Sequence, residues 1–86
     1  MSQLQIKAFI TAIENKLDKN AQPYFKLSLQ GFPFPLYAFS NNLATDTLAT
    51  LTKAPDNLIN RQVLITYQEL PANQGVFRKV KQIEIT

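Results

Sequence analysis

The chain has 86 residues, of which nine are lysine or arginine and six are aspartate or glutamate, for a formal net charge of +3. Its hydrophobic content of 45% is that of an ordinary globular domain, so disorder is not expected, and its length predicts one domain over residues 1–86. Histidine and cysteine are absent from the sequence. This removes the commonest general base and the commonest zinc ligands, and we therefore expect no enzymatic activity, no metal and no cofactor.

The first predicted element is a long strand that begins at Leu4. Aliphatic residues occupy the even positions of residues 4–12, and the odd positions between them are polar except for Phe9. Ile13 breaks this alternation, which predicts a β-bulge near Ala12 where the strand coils. Residues 15–23 are mostly polar and predict a loop.

Two further strands follow. Residues 24–29 alternate with period two, and so do residues 36–39, where Tyr37 and Phe39 are predicted to face away from the core. Between them, the prolines at residues 32–35 favour an extended conformation. The two phenylalanines of this segment either cover an open end of the core as a lid or form a partner-binding or membrane-touching loop, and we prefer the lid.

A helix is predicted over residues 43–52, capped by Asn41 or Asn42 and ended by residues 55–57. Leu43, Leu48 and Leu51 would lie on a broad apolar face of this helix. Its threonines lower the helix propensity of this segment.

Two more alternating segments complete the chain. Residues 63–68 and residues 76–85 predict the fourth and fifth strands, joined by a hairpin loop at residues 71–75. The order β-β-β-α-β-β is that of an all-β fold, a five-stranded Greek-key barrel with one short helix. The apolar face of each strand should fill it with Ile6, Ala8, Ile10, Phe25, Leu27, Leu29, Leu36, Ala38, Val63, Ile65, Val80 and Ile83.

Three stretches of the chain resemble a known family. Residues 6–13 form an apolar first strand before a polar loop, residues 23–29 read aromatic-x-Leu-x-Leu, and residues 75–85 end in isoleucine-acid-isoleucine. In layout the chain resembles the OB-folds of bacterial single-stranded-DNA-binding proteins, replication-restart factors and replicative polymerases. Ala8 departs from the glycine that many relatives carry there. The resemblance implies a five-stranded OB-fold and a role in DNA replication.

The candidate binding residues form two groups. The outer face of the first three strands would combine aromatic rings for base stacking with lysines for phosphates, namely Phe9, Tyr24, Tyr37 and Phe39 beside Lys7 and Lys26. In OB-folds that bind oligonucleotides, the loops before the second and fifth strands flank the ligand. Those loops would contribute Lys16, Lys19, Asn73 and Arg78. The alternatives are that the rings are buried in an interface and that the loop charges are simply solvated.

The expected function is non-catalytic binding of single-stranded nucleic acid, with DNA preferred to RNA. The alternative is a protein-interaction barrel that buries its aromatic face in a partner or a homodimer. Membership of a larger replication or repair assembly is compatible with both. Residues 1–7 lack the pattern of a signal peptide, and no apolar run approaches the roughly 20 residues that span a bilayer, so we expect a cytoplasmic protein without a membrane partner.

Overall fold

The computed structural model describes residues 3–72 and 75–86. The described part contains five strands and one α-helix in the predicted order: β1 (Gln3–Leu17), β2 (Pro23–Leu29), β3 (Leu36–Phe39), α1 (Thr45–Lys53), β4 (Gln62–Ala72) and β5 (Gly75–Ile85). Short 3₁₀ turns occupy residues 40–42 and 55–57. Within the described residues, no helix combines the length and apolar character that crossing a membrane requires.

The sheet closes into a ring because the two halves of β1 pair with different strands. Residues 3–9 run antiparallel to β4, and residues 10–17 run antiparallel to β2. The strand order is β1-β2-β3-β5-β4, and β3 and β5 are parallel where Tyr37 pairs with Lys79. The β1–β2 register shifts between Ile10 and Ala12, which confirms the predicted bulge and places it where β1 changes partners.

The core lies inside this ring and is formed by the apolar sides of the strands. Every predicted core residue is buried except Ile6, which is partly buried against the cluster. Leu51 from α1, Leu58 from the segment after it and Tyr67 from β4 complete the core. Burying one such large apolar side chain contributes about 1.5–3 kcal/mol, so this packing is the main source of stability.

The predicted helix cap at Asn41 or Asn42 is wrong. Both residues lie in the 3₁₀ turn, and the helix begins later, at Thr45, with Ala44 at the cap position and no side-chain cap. The cause is tertiary, because the Ala44 amide donates to the Lys81 carbonyl at 3.0 Å. That bond holds the chain on β5 immediately before the helix.

Thr47 joins α1 to β5 inside the protein. Its hydroxyl is buried, accepts a hydrogen bond from the Ile83 amide at 3.0 Å and donates to the Ile83 carbonyl at 3.4 Å. β3 ends at Phe39 and pairs with β5 through Lys79, so it does not reach this part of β5. The threonine hydroxyl therefore forms the hydrogen bonds to the Ile83 amide and carbonyl that a neighbouring strand would otherwise form.

Two strands are longer than predicted. β1 continues to Leu17, so Lys16 lies on a strand and not in a loop, and β4 continues through Pro71 to Ala72. Antiparallel pairing extends to the turn in each case, because every added pair satisfies further backbone groups.

At the β1–β2 turn, the Asp18 carboxylate accepts hydrogen bonds from the backbone amides of Asn20 at 2.8 Å and Gln22 at 2.9 Å.

Candidate nucleic-acid interface

Four aromatic side chains from three strands form a continuous surface group, which we name the ring cluster: Tyr24 on β2, Tyr37 and Phe39 on β3, and Phe77 on β5. Tyr24 lies 5.2 Å from Phe39 and 6.3 Å from Tyr37, measured between ring centroids. Phe77 lies 5.6 Å from Phe39 and stacks on Tyr37 at 5.2 Å with an interplanar angle of 16°. These separations are those of interacting aromatic pairs, and all four side chains remain half-buried.

The outward direction of the β3 rings follows from strand alternation. Leu36 and Ala38 are buried, and Tyr37 and Phe39 between them are half-buried on the opposite face. Tyr24 is the register partner of Phe39, and register partners project from the same side of a sheet. The predicted facing of these three rings is therefore the observed one.

Phe77 was not among the predicted site residues, although the sequence held a signal for it. Val80 is buried, and side chains alternate between the two faces of a strand. Arg78, two residues before Val80, therefore faces inward, and Phe77 and Lys79 lie on the outer face. Its contact with Tyr37 also depends on the parallel pairing of β3 with β5. No local pattern indicates that long-range pairing.

Lysines flank the ring cluster on both sides. Tyr37 is the register partner of Lys26 on β2 and of Lys79 on β5, so both lysines share its face. Lys16 is the register partner of Tyr24. The Lys16 ammonium lies 3.4 Å from the Glu14 carboxylate, but both groups are exposed, and such a pair is worth at most about 1 kcal/mol.

Lys19 is exposed in the turn between β1 and β2, at the end of the hairpin where Tyr24 lies. Its position in that loop is the predicted one. The predicted residue Asn73 lies outside the described residues.

The structure does not place Phe9 and Lys7 in the ring cluster. They belong to the half of β1 that pairs with β4, where Phe9 is opposite Gln62 and Lys7 is opposite Leu64. From Phe9 to Lys16, the β1 residue beside Tyr24, the strand extends about 23 Å at 3.3 Å per residue. Phe9 is 42% exposed and stands as a separate surface aromatic.

Arg78 was predicted as a phosphate-binding residue in or beside the loop before the fifth strand. It lies within β5 and faces the interior side of the sheet, opposite Glu69 on β4. Its Nε is 3.3 Å from the Glu69 carboxylate, and its guanidinium carbon is 3.5 Å from the centre of the Phe34 ring. With its side chain only 17% exposed, Arg78 is already engaged by two protein groups.

The segment that contains Phe34 contacts the core. Phe32 packs against the core cluster, and the Phe34 ring meets the Phe32 ring edge-on at 5.5 Å. We call residues 32–35 the lid, and the contact of Phe32 with the core is compatible with the predicted role of this segment. Arg78 lies over the lid from the β4–β5 side.

The ring cluster offers π-faces and cations to a ligand. Within residues 3–72 and 75–86, no three carboxylates come close enough to hold a metal ion. A cleft of about 300 Å³ lies elsewhere, between α1 and the end of β5, with Ile83 and Leu58 in its lining and Asp46 and Glu84 contributing carboxylates.

Protein-family models, curated proteins and solved structures were each compared with this chain, and none matches it.

Proposed function

We propose that this protein binds single-stranded nucleic acid, DNA in preference to RNA, on the ring cluster and without catalysis. The observation that carries the proposal is the position of Tyr37, which is stacked on Phe77 and has Lys26 and Lys79 as register partners on either side. Single-strand binders combine these two features, because bases stack on rings while cations attract the phosphates. Each stacked base contributes about 1–3 kcal/mol.

We further propose that the closed sheet is an OB-type fold. The strand order β1-β2-β3-β5-β4, the parallel β3–β5 pair and the helix between β3 and β4 support this assignment. OB-folds bind oligonucleotides on the face of the second and third strands, between the β1–β2 and β4–β5 loops. A fold alone does not establish a function, so the proposal depends on the rings and lysines that occupy this face.

We expect the affinity to be modest. The four rings pack on one another and are half-buried, so each presents only part of its surface to a base. Net charge of +3 is also small for a protein that binds a polyanion alone. Little sequence preference is expected, since stacking accepts every base.

The direct test is titration of a fluorescent oligo-dT at low salt. The Tyr24→Ala, Tyr37→Ala double variant should bind at least about tenfold more weakly than wild type, because it loses two stacking surfaces. Phe9→Ala is the matched control, since it removes an exposed ring outside the cluster and should bind like wild type. Absence of wild-type binding up to high micromolar protein would refute the function. Equal binding by the double variant would refute the site.

A second candidate function is protein interaction through the same face. It is favoured by the four adjacent rings of the cluster, which are partly exposed and form an apolar group that a partner could cover. Salt separates the two functions, because phosphate binding weakens steeply as salt rises and an aromatic protein interface responds little. Sedimentation at two salt concentrations would test for a homodimer. If the protein is a monomer at all accessible concentrations, the homodimer is excluded.

A further inference from the structure

We infer that Arg78 is a positioning residue for the ring cluster: it fixes the β4–β5 hairpin to the lid and thereby holds Phe77 against Tyr37. The importance of Arg78 for binding rests on the proposed function. Its structural part, the dependence of the Phe77–Tyr37 stack on Arg78, concerns the free protein alone.

As far as the structure describes it, the outer part of the β4–β5 hairpin has only two strands. In the described residues, β5 pairs with β3 at Lys79, and the residues before it pair with β4 alone, ending with Ala72 opposite Gly75. Phe77 lies in that outer part. A two-stranded ribbon is only marginally stable by itself, so the position of Phe77 depends on side-chain contacts.

Arg78 supplies these contacts on the opposite face of β5 from Phe77. Its guanidinium lies 3.5 Å from the centre of the Phe34 ring, and Phe34 meets Phe32, which packs against the core. The same guanidinium is 3.3 Å from the Glu69 carboxylate across the hairpin. A cation that is shielded from water on an aromatic face is held more firmly than an exposed one. These contacts therefore connect the core, through Phe32 and Phe34, to Arg78, the residue between Phe77 and Lys79.

The geometry argues against a phosphate contact by Arg78. Its side chain is 17% exposed and turned to the interior side, whereas its neighbour Lys79 shares the outer face with Tyr37. Two consecutive cations on β5 therefore have different tasks. Lys79 faces the ligand, and Arg78 orients the strand.

This difference gives a matched pair of variants. Arg78→Gln and Lys79→Gln each remove one positive charge, one residue apart and on opposite faces of the strand. Phe34→Leu removes the aromatic partner of Arg78 without changing any charge, so it tests the same contact if Arg78→Gln fails to fold. Phe77→Leu provides the reference state in which the Tyr37 ring has lost its stacking partner.

The first measurement is NMR of the Tyr37 ring protons in the free protein, where the stacked Phe77 ring displaces their resonances. Arg78→Gln and Phe34→Leu should move these resonances most of the way to their positions in Phe77→Leu. Lys79→Gln should leave them in place. Unchanged Tyr37 resonances in folded Arg78→Gln or folded Phe34→Leu would overturn the inference, whatever the protein binds.

The second measurement is oligo-dT affinity against salt concentration. Arg78→Gln should bind about three- to tenfold more weakly with an unchanged slope of log K against log salt, because it loses stacking and no phosphate contact. Lys79→Gln should reduce the magnitude of that slope by about 0.7, the value for one phosphate contact on a single strand. A slope reduced equally by Arg78→Gln would assign it to phosphate and refute the positioning role. Failure of wild type to bind would refute the proposed function while leaving the NMR result decisive for the stack.

Discussion

Tyr37 and Phe77 stack with their ring centroids 5.2 Å apart and their planes 16° from parallel, on two strands that are distant in sequence and parallel in the sheet. The stack joins β3 to β5 on the outer face of the closed sheet, where Tyr37 pairs with Lys79. A surface formed by β2 and β3 alone would carry three rings. Phe77 extends this surface onto a third strand, next to the hairpin that Arg78 anchors.

Replacing Phe77 with leucine should weaken oligo-dT binding about five- to tenfold. Leucine keeps an apolar contact with the sheet but offers no π-face to a base or to Tyr37. Fluorescence anisotropy at low salt measures the change, and Phe9→Leu provides the control because it makes the same substitution outside the ring cluster. If both variants bind like wild type, Phe77 does not contribute to the site.

The salt dependence of oligo-dT binding should report three phosphate contacts. Lys16, Lys26 and Lys79 pair in register with rings of the cluster, and three contacts to a single strand predict a slope of log K against log salt of about −2. Lys26→Gln should reduce its magnitude by about 0.7. Lys7→Gln removes the same charge from the part of β1 that faces β4 and should leave the slope unchanged. Equal effects of the two variants would indicate that net charge, and not this face, attracts the ligand.

Thr47→Val should lower the free energy of unfolding by about 1–3 kcal/mol. The variant keeps the shape of the side chain but leaves the buried amide and carbonyl of Ile83 without the hydroxyl that now bonds both. Urea denaturation followed by circular dichroism measures the loss. Thr50→Val is the control on the same helix, because the Thr50 hydroxyl bonds to the Asp46 carbonyl one turn earlier and should change stability by less than about 0.5 kcal/mol. Equal losses from both would refute the tie between α1 and β5.

Ala21→Gly should raise the free energy of unfolding by about 0.5–1 kcal/mol. Ala21 has φ of 61° in the β1–β2 turn, a left-handed conformation that costs a non-glycine residue about 1–2 kcal/mol. Part of that gain is offset because glycine makes the unfolded chain more flexible. The same denaturation assay measures both this variant and Ala49→Gly, which should instead lose about 1 kcal/mol in the exposed middle of α1. A stability loss for Ala21→Gly would contradict the strained turn.

Period-two alternation predicted the number, order and inner faces of the strands, because the pleat of a strand sends successive side chains to opposite sides. Tyr24, Tyr37 and Phe39 were placed on the outer face for the same reason. The bulge near Ala12 was visible as a break in that alternation. Strand ends were less accurate, since polar residues such as Lys16 belong to a hairpin as readily as to a loop when backbone pairing continues.

Tertiary pairing decided which of the outward side chains share one site. β1 pairs with β4 and then with β2, which separates Phe9 and Lys7 from the rings on β2 and β3. The parallel β3–β5 contact brings Phe77 to Tyr37, and the Phe34 ring engages Arg78. By itself, the sequence determined the face on which each strand residue lies, because that depends on local backbone geometry. Only the closed sheet decided which faces meet, because this depends on contacts between residues that are far apart in the chain.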